Sequence, residues 1–196
     1  MLPLHLMNLE LLTDRLLLRP LRLDDVDLGI EMFNDPDVVR YVGRMQTVDK
    51  IRGDMHLNIK RCGGACIGVW CVLDRKISEK IGTGVLLPMP IDENDTNWDL
   101  IEGPDIPDCD IEVGYILKPS AWGKGYATEV CKRLLKFAFE ETPLEYVVAC
   151  IDDDNENSRR VLSKCGLRDE GKRRAYGEQA PCFSITREQW VSEHRS

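Results

Sequence analysis

Gly123, Lys124 and Gly125 stand behind a proline turn at Pro119, between a strand-like run, Asp110 to Leu117, and a helix-like run that begins at Ala127. Residue types at this spacing are suited to binding an anion. Glycine lets the backbone approach closely, successive N–H groups point inward, and the positive end of the helix dipole lies behind them, so a pyrophosphate would fit. The run is neither a Walker motif, since no Gly-Lys-Ser/Thr follows at the required spacing, nor a GxGxxG turn. A glycine-rich turn before a helix also serves as plain chain reversal, and these residues alone leave both readings open.

The other reactive types are scattered. Eight cysteines lie at 62, 66, 71, 109, 131, 150, 165 and 182 and form no CxxC pair. Five residues apart in a strand, Cys66 and Cys71 would face opposite sides, and no fourth ligand has sensible spacing, so no metal is expected. Several cysteines fall in apolar periodic segments, where a free thiol packs as a small hydrophobe, and this suggests a reducing cytoplasm. Cys150 reads as a buried strand thiol rather than an acyl-accepting nucleophile. Lys172 to Arg174 read as a solvated strand edge. His5, His56 and His194 fall outside every motif.

The elements that must position these residues follow from periodicity. Arg15 to Leu21 read as a strand, and Asp24 then caps a short amphipathic helix. Thr47 caps a second helix through about Lys60, and Cys66 to Asp74 with Lys80 to Leu87 form an antiparallel hairpin. Residues 90–110 hold eight acidic side chains and no Lys or Arg, the composition of a long exposed loop. From Ala127 the apolar positions Val130, Cys131, Leu134, Leu135, Ala138 and Phe139 recur at helical spacing until Pro143. Tyr146 to Ile151 is a buried strand, Asn155 to Lys164 a short helix ended by Gly166, and the last strands lie near 167–176 and 182–186. This order predicts an α+β fold with a mixed, mainly antiparallel central sheet of about six to seven strands flanked by helices.

Composition narrows the function classes. The 196 residues suit one domain, read here as 1–196 with the acidic loop at 90–110. A formal charge of −8 would repel a phosphate backbone, so no nucleic-acid partner is expected, whereas a cationic partner is electrostatically allowed. The longest stretch free of charge and strongly polar side chains, Cys62 to Leu73, is far short of the ~20 residues of a span, so no membrane partner is expected. The apolar amino terminus lacks a basic region and a small-residue cleavage site and reads as mature sequence.

Three segments carry a resemblance. Trp122 to Ala127, WGKGYA, resembles the acetyl-CoA pyrophosphate loop of the GNAT superfamily of N-acetyltransferases, written [RQ]xxGx[GA]. Trp in place of Arg or Gln is usual in the branch containing the ribosomal-protein N-terminal (Rim-type) acetyltransferases. Residues 13–25, TDRLLLRPLRLDD, and 155–167, NENSRRVLSKCGL, resemble that branch in the same order along the chain. The resemblance implies a GNAT-like sheet splayed between its fourth and fifth strands and transfer of acetyl from acetyl-CoA, the cosubstrate, to a primary amine without metal. The acceptor it points to is a protein α-amino terminus. A small cationic amine of the polyamine or aminoglycoside kind and a non-catalytic CoA-binding module are the alternatives, and a homodimer is compatible with the branch.

Site residues follow from the same resemblance. The pyrophosphate would lie on the backbone of Gly123, Lys124, Gly125, Tyr126, Ala127 and Thr128, next to Trp122. The strand ending Tyr115, Ile116, Leu117 would pair with the pantetheine amides, and the Ile116 N–H would polarise the thioester oxygen. Asn155 would touch the pantetheine arm, and Ser158, or water, would protonate the leaving thiolate, because Leu162 stands where many members carry a Tyr. Lys172 to Arg174 could also serve the 3′-phosphate of CoA. Glu112 shares a strand face with Gly114 and Ile116, where a carboxylate could accept the amine proton through water; a strand-edge Glu paired with an Arg is the other reading. Ser158 likewise could merely cap its helix. The resemblance also implies that the connection carrying the acidic loop lies on the acceptor side of the sheet, opposite the pyrophosphate loop.

Overall fold

The computed structural model describes residues 8–194. Among these residues eight strands form one sheet: β1 Leu11–Leu12, β2 Leu16–Pro20, β3 Gly68–Asp74, β4 Glu79–Pro88, β5 Ile111–Leu117, β6 Tyr146–Cys150, β7 Arg168–Ala175 and β8 Glu178–Thr186. Their spatial order is β1-β2-β3-β4-β5-β6-β8-β7. All neighbours are antiparallel except β5 and β6, which run parallel and share a single register position, Glu112 opposite Val148. This is the expected splay: counted from the strand near Arg15, β5 and β6 are the fourth and fifth. The two-residue β1 raises the expected six to seven strands to eight; it is too short to leave an alternation in the sequence.

Among the described residues six helices flank the sheet: α1 Val26–Phe33, α2 Pro36–Val39, α3 Val48–Asn58, α4 Tyr126–Glu141, α5 Glu156–Lys164 and α6 Arg187–His194. The apolar stripe of α4 is buried from Val130 to Phe139 against Leu16, Leu18, Val72, Leu86 and Val113, and Phe137 meets Trp70 edge-on at 5.7 Å. On the opposite face Leu28, Met32 and Val38 of α1 and α2 pack on Cys71 of β3 and Ile116 of β5. α2 and α6 escaped the sequence reading because one is four residues long and the other has no apolar stripe. Among the described residues no helix is long and apolar enough to cross a membrane.

Several expectations change. A 3-10 turn, Leu23–Asp25, precedes α1, so Asp24 is not its cap. The structural carboxylate is Asp25, which accepts two bonds of 2.7 Å from Arg19 and one of 2.9 Å from the Arg22 N–H. Burial opposes its ionisation, but Arg19, the Arg22 amide and Lys80 outweigh that and hold the carboxyl below its ordinary range. Cys150 and Cys182 are not free thiols: they face each other across β6 and β8 with Cα atoms 4.2 Å apart and are joined as a disulfide. The other six cysteines are free, and of these all but Cys109 are buried. His5 and the start of the apolar amino terminus lie outside the described residues.

Thr47 does cap α3, its Oγ1 accepting from the Lys50 N–H at 3.2 Å. Thr47→Ala should cost about 1 kcal/mol, which scanning calorimetry should read as a fall of roughly 2–4 °C for a chain of this size. An unchanged melting temperature would mean that the cap adds nothing.

Candidate active site

The turn between β5 and α4 is built from glycines in the left-handed region. Gly123 has φ 70° and Gly125 φ 78°, and Gly125 occupies the N-cap of α4 with no side chain capping the helix. The first intrahelical bond runs from the Glu129 N–H to the Gly125 carbonyl. The N–H groups of Tyr126, Ala127 and Thr128 therefore lack helical partners. A Cβ at Gly123 would meet nothing within 4 Å, so the cradle is open. A 16-residue helix behind uncapped amides fits a pyrophosphate. Trp122 stands at the mouth, 47% exposed, its Nε1–H donated to the Leu117 carbonyl at 2.7 Å.

The groups that hold this turn were not apparent in the sequence. Arg15 donates to the Lys124 carbonyl at 2.8 Å and to Glu129 at 2.6 Å, and lies over the Tyr126 ring at 4.4 Å. Thr13 donates to Glu129 and the Tyr126 hydroxyl to Asp74, each at 2.5 Å. Thr13 and Arg15 lie in the TDRLLLRP segment, so its resemblance to the branch was the available signal, though it said nothing of their role.

Strand parity corrects one assignment. The Lys118 N–H bonds to the Ile81 carbonyl and the Met89 N–H to the Asp110 carbonyl, with β4 and β5 in unbroken register between. In an antiparallel ladder the even residues of β5 must then spend both backbone groups on β4. The Ile116 N–H thus points away from the splay and cannot polarise a thioester there. A Cβ on Gly82 would stand 2.2 Å from the Ile116 carbonyl oxygen, which agrees with that direction. The cleft-side amides are those of Tyr115 and Leu117, released where β6 diverges.

Side chains alternate the other way, so Glu112, Gly114 and Ile116 share a face as expected, that of α1 and α2. Glu112 is 6% exposed and accepts a hydrogen bond from the Tyr176 hydroxyl. No Arg pairs with it among the described residues. Burial pushes its carboxyl up to about 7; the Tyr176 bond pulls it down and Asp95 adds to the rise.

Across the splay, Asn155 caps α5 by accepting from the Ser158 N–H at 3.1 Å. Ser158 is therefore not the cap, and no hydrogen bond among the described residues engages its half-buried hydroxyl. Leu162 is buried in the core. Lys172, Arg173 and Arg174 lie along the solvated edge strand β7, as expected, and there they pair with Asp153, Asp110 and Asp92. The acidic loop is largely exposed but anchored by the buried Ile101, with Trp98 and Ile106 packed against the core, and it meets the tip of the β7–β8 hairpin, the Tyr176 and Gly177 N–H groups donating to the Pro90 and Ile91 carbonyls. Among the described residues no cluster of three or more His, Cys, Asp or Glu side chains could hold a metal.

Residues 15–168 match the family described as acetyltransferase (GNAT) domain. An FsC-acetyl coenzyme A-N(2)-transacetylase of Aspergillus fumigatus is 30% identical over 189 residues, 91% of this chain and 77% of that protein. A Bacillus subtilis protein named "Putative ribosomal N-acetyltransferase YdaF" is 33% identical over 88 residues, 42% of this chain and 48% of its own length. The fold is that of spermidine N-acetyltransferase from Vibrio cholerae, solved with CoA and spermine, at a TM-score of 0.68 and 17% identity over 91% of this chain and 99% of that one.

Proposed function

Because the chain belongs to the GNAT family of acetyl-CoA-dependent N-acetyltransferases, we propose that as a single acetyltransferase domain it acetylates a protein α-amino terminus by direct attack in a ternary complex. Gly123 to Thr128 hold the pyrophosphate through their N–H groups, beside Trp122. The cleft-side edge of β5, at Tyr115 and Leu117, pairs with the pantetheine arm, and Asn155 borders it from α5. Glu112 takes the proton from the amine nitrogen, directly or through water. The N–H of Leu117 or Tyr115 replaces that of Ile116 as the donor to the carbonyl oxygen. Ser158 gives a proton to the departing thiolate.

The observation that carries the acceptor class is the Glu112 carboxyl at about 7. An α-amino group titrates near ~7.7–8, within about a unit of it, while a lysine-like amine at ~10.4 would have to give its proton up against more than three units. The acidic loop supports a second reading, a small cationic amine, because it is rich in exposed carboxylates and one of them, Asp95, is close enough to act on Glu112.

Free-thiol release from acetyl-CoA, measured at pH 7 and pH 9 with amino-terminal peptides, spermidine and an aminoglycoside, separates the two. Peptides should turn over at both pH values, and at pH 7 by at least tenfold over the others. Preferential turnover of spermidine or the aminoglycoside would overturn the peptide assignment.

A further inference from the structure

We propose that Tyr176 is the positioning residue of this reaction, holding one oxygen of the Glu112 carboxylate through its hydroxyl and leaving the other for the amine proton. The proposal rests on Glu112 acting as the base. Tyr176 donates to Oε1, and among the described residues nothing engages Oε2. The contact spans 64 residues of sequence and depends on how the tip of the β7–β8 hairpin is fixed.

That tip is held from several sides. Tyr176 has φ 54°, an uncommon conformation for a residue with a Cβ. Its N–H donates to the Pro90 carbonyl at 3.0 Å, and that of Gly177 to the Ile91 carbonyl at 2.9 Å. Arg174 reaches Asp92 at 2.6 Å and Arg173 pairs with Asp110, at the other end of the same loop. Tyr176 packs in a cluster with Met89, Val148, Ala180 and Cys182, and the Cys150–Cys182 bond ties β6 to β8 beneath it. Here the acidic loop acts as the clamp that seats Tyr176.

Among the described residues the titratable groups acting on Glu112 are Tyr176 from the hairpin and Asp95 from the loop, and no cation takes part. An O–H donated to a carboxylate favours its charged form. Removing the donor should therefore raise the pH at which Glu112 ionises and move the acidic limb of activity the same way.

The test is Tyr176→Phe, which removes one oxygen and keeps the packed ring. The Glu112 side chain is followed by 13C-labelled glutamate Cδ titration, assigned by its loss in Glu112→Gln, beside the pH profile of kcat. The expected result is a titration and acidic limb raised by roughly one pH unit, in proportion to a charge-assisted hydrogen bond. At pH 7 kcat should fall about tenfold or more, as when a base loses its orientation, with KM for acetyl-CoA unchanged. An unmoved titration, or a lower kcat with no shift of the limb, would overturn the proposal. If the titration moves but Glu112→Gln keeps wild-type turnover, the base assignment fails while the contact stands.

Discussion

Glu112→Gln should lower kcat by roughly 10²–10⁴-fold, the range that a positioned general base contributes, with the affinity for acetyl-CoA unchanged. Amine attack requires a neutral nitrogen, and Glu112 is the one carboxylate buried on the face of β5 shared by Gly114 and Ile116. Its carboxyl ionises at about 7, so wild-type activity should rise with an acidic limb near that pH, and the variant should lose the limb. The same displacement affects stability. A carboxyl raised in the folded state stabilises it fully below the unfolded value, near 4.5, and that contribution is lost as pH rises through about 7. Forcing the charge into this site above pH 7 costs up to about 3 kcal/mol, a penalty the Gln side chain does not carry. The melting temperature of Glu112→Gln should therefore gain on wild type as pH increases from 5 to 8. Kinetics in which the variant matches wild type at every pH would remove Glu112 from the reaction.

Gly125→Val should weaken acetyl-CoA binding by roughly 10- to 100-fold, as read by titration calorimetry. At φ 78° a β-branched residue is strained by about 1–3 kcal/mol, and the turn can relieve the strain only by rotating the N–H groups of the cradle. Space is not the obstacle, because the nearest neighbour of a Cβ there is the Arg15 guanidinium at an ordinary 3.6 Å. Gly171→Val makes the control: φ is 77° and nothing lies within 4 Å, so it should cost comparable stability and leave the affinity alone. Equal binding losses in the two variants would show strain without a local cradle. Unchanged affinity in a folded Gly125→Val protein would contradict pyrophosphate binding at this turn.

What the sequence determined by itself is local. The 3.6-residue recurrence from Val130 to Phe139, the glycines at 123 and 125, the Thr47 cap and the alternation that puts Glu112 beside Gly114 and Ile116 each depend on residues within a few positions of one another, and propensity and pattern encode such features. Tertiary structure decided the rest. Alternation groups the side chains of a strand by face, but which neighbour its amides point to depends on strand pairing, and that pairing turned the Ile116 N–H onto β4 and freed those of Tyr115 and Leu117. Asp25 rather than Asp24 became the buried carboxylate only because Arg19 and Lys80 converge on it. Arg15 reaches Lys124 across 109 residues, Tyr176 reaches Glu112 across 64, and Cys182 meets Cys150 across 32. Such contacts arise from strand register and from a loop docking on a hairpin tip, and neither leaves a pattern in the residues that will touch.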